Sequence, residues 1–201
     1  MKKTRMIILA AMLVAAIILI PSCGSGDEGG AKATSPFAGK EPTDLSGYHS
    51  MEDYDGESRL VETDVAEAVK LMNDKESFVL FFSFEDCPYC NAVLPYLNKA
   101  ALEAGQYVGY VDTRKDPEWM TNMDIDDYDL VEKYFGEYLQ DDEQGRKHLY
   151  TPDAYFIKKG KIVARHSGVL AGADDPNQSL TSTQEEELMK ILAEDFKKIT
   201  P

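Results

Sequence analysis

Cysteine is scarce in this 201-residue chain: Cys23, Cys87 and Cys90 are the only three, accompanied by His49, His148 and His166. A structural zinc site takes four ligands, and only Cys87 and Cys90 form a close pair, so the chain has no second half for one. Long apolar runs are few as well. Beyond residue 20 none approaches the roughly 20 residues that a membrane-spanning helix needs. Basic charge is also short, with 21 Lys and Arg against 36 Asp and Glu for a formal net charge of −15. Three of those basic residues, Lys2, Lys3 and Arg5, fall in an N-terminal stretch free of acids, so the remainder is more acidic still. Such a surface repels nucleic acid and anionic headgroups. No internal repeat is found, and the 43% hydrophobic content is enough for one core of ordinary size.

The chain begins "MKKTRMIILAAMLVAAIILIPSCGSGDEGG": a basic start, an apolar run from Met6 to Ile20, then small residues around a cysteine. That is the grammar of a secretory signal. "LIPSC" resembles a bacterial lipoprotein cleavage box, with Ile20, Ser22 and Cys23 in pattern and Pro21 departing from it. The resemblance implies that residues 1–22 are removed and that Cys23 carries lipid, which holds the protein at the membrane while its domain stays in water. An uncleaved anchor and a soluble secreted form are the alternatives, and all three place the domain outside the cytoplasm. Residues 23–57 are rich in Gly, Ser, Pro, Asp and Glu, with scattered Phe37, Leu45 and Tyr48. This composition predicts a flexible acidic tether.

Residues 58–201 read as the folded domain. "RLVET" is a short strand, and Val65, Ala68, Val69 and Met72 recur at helical spacing behind a Thr63/Asp64 cap. "SFVLFFSF", Ser77 to Phe84, is too short for a helix and lacks alternation, as befits a central strand covered on both faces. Val93, Leu97, Ala100, Ala101 and Ala104 then form a helical stripe that stops at Gly105. "YVGYVD" is another strand. An enlarged connection, 113–150, carries a helix marked by Leu130, Val131, Tyr134, Phe135 and Tyr138, together with Trp119 and the acids Asp124, Asp126 and Asp127 as candidates for partner contact. "DAYFIKKGKIVARHSG" predicts two strands about Lys159-Gly160. A closing helix presents Leu188, Ile191, Leu192, Phe196 and Ile199 behind a Ser182/Glu185 capping box. Strands and helices alternating in this way predict an α/β fold with a mixed central sheet between layers of helices.

Cys87-Pro88-Tyr89-Cys90 stands where the buried strand gives way to a helix. Thiol exchange needs a thiolate, an accessible sulfur and a second thiol within reach. A helix N-terminus stabilises the thiolate of Cys87, and one helical turn brings Cys90 back beneath it, so Cys87 is the expected nucleophile and Cys90 the resolving thiol. An inert disulfide would close only a tiny loop and stabilise little. It remains an alternative, as does metal handling.

With Pro95 five residues after Cys90, Thr151-Pro152 before the penultimate strand, Gly160 in the hairpin and Gly168 after the last strand, the domain resembles the thioredoxin superfamily. CPYC itself is similar to the glutaredoxin motif, and a likeness to bacteriocin-transport accessory proteins of this fold is also noted. The resemblance implies a three-layer sandwich and a protein disulfide oxidoreductase that uses no cofactor beyond its own dithiol. Its partners would be protein thiols and disulfides together with a redox partner, with Pro88 and Tyr89 shaping the active site. It also implies that Pro152 is cis, facing the sulfurs, with the Thr151 backbone pairing to a substrate peptide. A thioredoxin-like binding module whose cysteines are incidental is the alternative from another class. One position departs from the pattern. Six residues before Cys87, where thioredoxins keep a buried acid, stands Phe81. Glu85 and Asp86 are read as solvated surface, the alternative being that they substitute for that acid from the loop while their charge opposes a Cys87 thiolate.

Overall fold

The computed structural model describes residues 35–114, 125–173 and 175–200. The expected signal sequence, Cys23, Trp119 and Asp124 lie outside the described residues. In chain order the elements are β1 (Leu60–Glu62), α1 (Val65–Asn73), β2 (Phe78–Ser83), α2 (Pro88–Ala104), β3 (Val108–Asp112) and α3 (Ile125–Phe135). There follow β4 (Gln140–Asp141), β5 (Lys147–His148), β6 (Asp153–Lys158), β7 (Lys161–Ser167) and α4 (Ser182–Ile199). The expected alternation is present. The small β4–β5 hairpin inside the long connection is an addition that two-residue strands are too short to announce.

Five strands form one sheet in the order β1-β3-β2-β6-β7. β3 runs parallel to both β1 and β2, while β2–β6 and β6–β7 are antiparallel. β2 is central and all six of its residues are buried. Val79 and Phe81 enter one core cluster with Val93 and Leu97 of α2 and Leu192 and Phe196 of α4. Phe78, Leu80 and Phe82 enter the other, with Val69 of α1 and Val131 and Phe135 of α3. The uninterrupted apolar run is therefore the physical consequence of helices on both faces. This is the α/β three-layer sandwich that the sequence predicts.

Local chemistry sets the element ends. Asp64 caps α1 by accepting from the Glu67 N–H, and Gly105 closes α2 in the left-handed region at φ 63°. The β6–β7 turn has Lys159 at φ 51° and Gly160 at φ 74°. Gly160 is required there twice over, because a Cβ would also lie 2.0 Å from the Met72 carbonyl oxygen. The closing helix starts one residue earlier than the expected box: Thr181 is the N-cap, paired reciprocally with Gln184.

The largest correction concerns residues 35–57. The portion from residue 35 onward is not a free tether but belongs to the same compact unit as the sheet. Phe37 is fully buried against Phe78, in edge-to-face contact at 5.8 Å, and Leu45, Tyr48 and Met51 are buried in the cluster that contains the cysteines. The Thr43 N–H donates to the Leu60 carbonyl, so the segment also covers the β1 edge. Gly109 makes room for it, since a Cβ there would come within 2.5 Å of the Phe37 ring. Four widely spaced apolar anchors suffice because the sheet supplies matching pockets, which composition does not reveal.

His166 on β7 yields a pH prediction. Its Nε2 lies 2.9 Å from the Val169 carbonyl oxygen, and burial lowers its pKa, the bond to Val169 and the charge of Asp195 opposing only in part. The unfolded chain, with an ordinary value of about 6.5, binds the proton more readily than the fold does. Stability from the neutral ring is thus present above that value and lost as pH falls below it. The difference in unfolding free energy between wild type and His166→Gln is expected to shrink from about pH 7.5 to about pH 5.5. Urea unfolding at the two pH values checks this, and a constant difference would refute it.

Candidate active site

Cys87 is the N-cap of α2 and Pro88 its first residue, where a missing N–H costs no helical bond. Cys87 and Cys90 form a disulfide with their Cα atoms 5.1 Å apart. The Cys90 N–H donates to Cys87 Sγ at 3.1 Å. The helix N-terminus thus meets the sulfur through a specific amide as well as through its dipole. Cys90 is fully covered and Cys87 is 3% exposed, so the expected accessible sulfur presents only a narrow opening in this oxidised form. Pro88, Tyr89, Glu85 and Asp86 are exposed around it, the two acids as solvated surface.

The peptide bond between Thr151 and Pro152 is cis. It brings both the carbonyl oxygen and the Oγ1 of Thr151 to 3.8 Å from Cys87 Sγ. The Pro152 carbonyl accepts from the Gly168 N–H, which joins two positions that the sequence separates by sixteen residues. Tyr89 and Tyr150 are among the few large apolar side chains left exposed, at 40% and 44%, one beside the disulfide and one beside Thr151. Tyr150 packs against His148 of the added hairpin, with ring centroids 4.5 Å apart.

Phe81 is buried in the cluster that holds both cysteines. On the same side of the sheet Tyr48 reaches Ser83 Oγ at 2.8 Å and donates to the Tyr110 oxygen at 3.1 Å, and the carboxylates of Glu85 and Asp112 line the same pocket as the two tyrosines. Burial pushes the Tyr48 phenol up to about 12 and raises Tyr110 as well, so both stay neutral. The chain does own a buried carboxylate, Asp153, one residue after the cis bond. It accepts from Arg165 Nε at 2.7 Å, Arg165 Nη2 at 2.9 Å and the Tyr155 hydroxyl at 2.6 Å. Desolvation nevertheless raises its pKa. Strand alternation puts Asp153 and Tyr155 on the sheet face opposite Ala154 and Phe81, and Tyr155 packs with Phe82. The carboxylate therefore serves an ion pair on the sheet face away from the cluster that holds the cysteines.

Sequence reading missed Asn91, which touches the active-site turn and the 45–51 stretch at once. A polar residue following the second cysteine on a helix is its only signal. No group of His, Cys, Asp or Glu suited to a metal occurs among the described residues.

The sheet order, the strand-to-helix CPYC turn and the cis Thr151–Pro152 bond, whose Thr151 lies against the Cys87 sulfur, define a thioredoxin-like fold. Solved structures similar to the chain include three thioredoxins. That of Fasciola hepatica is 21% identical, covering 71% of this chain and 99% of its own, at a TM-score of 0.40. Thioredoxin NaTrxh of Nicotiana alata is 17% identical over 71% and 97%, at 0.41, and that of Aeropyrum pernix 16% over 70% and 86%, at 0.42. At such scores the fold assignment rests on the topology and not on these likenesses. The sequence matches no family model and no curated protein.

Proposed function

We propose that this protein is a thiol-disulfide oxidoreductase acting on protein thiols and disulfides outside the cytoplasm, tethered to the membrane through lipid on Cys23. The observation that carries the redox reading is the Cys87–Cys90 pair at a helix N-terminus with Thr151, the residue before a cis proline, against Cys87 Sγ. In the reducing direction, the Cys87 thiolate attacks a substrate disulfide, forming a mixed disulfide and releasing one substrate thiolate. Cys90, deprotonated, then attacks Cys87 Sγ, releasing the second thiolate and leaving the two cysteines oxidised. Oxidation is the same sequence reversed, and electrons balance through the dithiol without a cofactor.

Phe81 bears on direction. A buried acid at that place would take the proton from Cys90 and a phenylalanine cannot, so the second step of reduction is slowed. The reduction potential, read against glutathione, tests function and direction together. A value near about −270 mV assigns reduction and one near about −120 mV assigns disulfide formation. Failure to exchange would leave the accessory or binding reading, such as a role in bacteriocin export. The tether has its own test. Labelled palmitate should be incorporated by the wild type and lost in Cys23→Ala; an unlabelled wild type would remove the lipid anchor from the proposal.

A further inference from the structure

Asn91 joins two parts of the chain that are otherwise separate in sequence. Its Nδ2 donates to the carbonyl oxygens of Glu85 at 2.7 Å and Cys87 at 3.0 Å, and its Oδ1 accepts from the Ser50 N–H at 3.1 Å. Both amide hydrogens are engaged, one on each side of Asp86. The same neighbours also meet where the end of the exposed Glu85 side chain lies over Gly47, at which a Cβ would fall 2.1 Å from its carboxyl carbon. The stretch that bears on the turn is itself anchored, because Leu45, Tyr48 and Met51 are buried in the same cluster as Cys87 and Cys90.

From this geometry we infer that Asn91 is a positioning residue for Cys87, holding the 85–87 backbone against residues 45–51 so that Sγ stays at the Cys90 N–H once the disulfide opens. The physical need arises in the reduced form. While the disulfide is closed, the S–S bond restrains Cys87. After reduction that restraint is gone, and a thiolate is stabilised only while the amide still points at it. Two hydrogen bonds from a side chain rooted in α2 keep the turn in register with the helix. The third, from Ser50, fixes the side chain's own orientation. Cys87 φ −77° and ψ 112° is an extended N-cap conformation that Pro88 also favours, and the Asn91 N–H holds the same carbonyl at 3.0 Å; what the Asn91 side chain adds is the tie from that turn to Glu85 and to Ser50.

The inference deepens the redox reading, since it concerns the thiolate which that reading uses, yet it is tested without turnover. Reduced full-length protein is alkylated with iodoacetamide across pH, with Cys87 followed by peptide mass. In Asn91→Ala the Cys87 rate at about pH 6 is expected to fall about tenfold, the change that one unit of pKa produces. Asn91→Ser keeps a hydroxyl able to bond the carbonyl four residues back and should give an intermediate profile. A purely structural role would lower the melting temperature and leave the alkylation profile in place, so a wild-type profile in Asn91→Ala overturns the inference. If that variant does not fold, Asn91→Ser decides: an intermediate profile supports it and a wild-type profile overturns it. Absence of disulfide exchange in the wild type, with the alkylation shift intact, would remove the proposed function while leaving this positioning role standing.

Discussion

In Cys90→Ser, a mixed disulfide between Cys87 and a substrate protein accumulates, and in Cys87→Ser exchange falls to background. The geometry makes the two cysteines unequal. Cys87 has the residual exposure, the Cys90 N–H on its sulfur and Thr151 at 3.8 Å, whereas Cys90 is wholly covered. A substrate thiol therefore meets Cys87, and only Cys90 is placed to release it. Non-reducing gels, with the captured partner identified by mass spectrometry, read the result. A band of higher mass in Cys90→Ser that vanishes in Cys87→Ser/Cys90→Ser confirms the assignment. Capture at Cys90 in Cys87→Ser would reverse the roles, and no capture by either would favour the binding-module reading. Because Phe81 supplies no proton acceptor, some mixed disulfide is also expected with the wild type, at a lower level than in Cys90→Ser.

Phe37→Ala is expected to destabilise the domain by about 3–5 kcal/mol, the range for removing a fully buried phenylalanine. The residue lies in a stretch whose composition predicts a tether, where the same change would cost nothing measurable. In the fold its ring is fully buried, meets Phe78 edge to face and occupies the space left by Gly109. Relaxation cannot close the resulting gap easily, because β3 lies in the sheet between β1 and β2. Urea unfolding of the wild type and variant decides the matter. An unchanged midpoint would return residues 35–57 to the status of a tether.

Much of the fold was legible from local pattern. The unbroken apolar β2, the stripe of α2 ending at Gly105 and the Lys159-Gly160 turn are all set by neighbours in sequence, through burial period and backbone sterics. The cysteine pair was legible for the same reason: a strand, a turn, Pro88 and a helix together compel an N-terminus at Cys87. The resemblance to thioredoxins supplied the cis Thr151–Pro152 bond, which the structure has, with Thr151 beside the Cys87 sulfur.

What was not legible depends on contacts across the chain. Nothing around Phe37, Leu45 or Tyr48 separates anchors from stray apolar residues; the pockets that receive them are built by β2, β3 and α2, which arrive later in sequence. Asn91 likewise gains its meaning only when Ser50, forty-one residues earlier, lies beside it. Asp153 is an ordinary acid in sequence, and only its strand face gives it Arg165 and Tyr155 and withholds it from Cys90. By itself the sequence determined the sandwich and the place of the cysteine pair at a helix N-terminus, because these follow from short-range periodicity and helix-end chemistry, while the meaning of Phe81 came from the resemblance to thioredoxins. Tertiary structure alone decided how far the domain extends toward the N-terminus and what holds the turn that carries Cys87. Long-range packing energy depends on the partner surface, and no single stretch of sequence contains both sides of it.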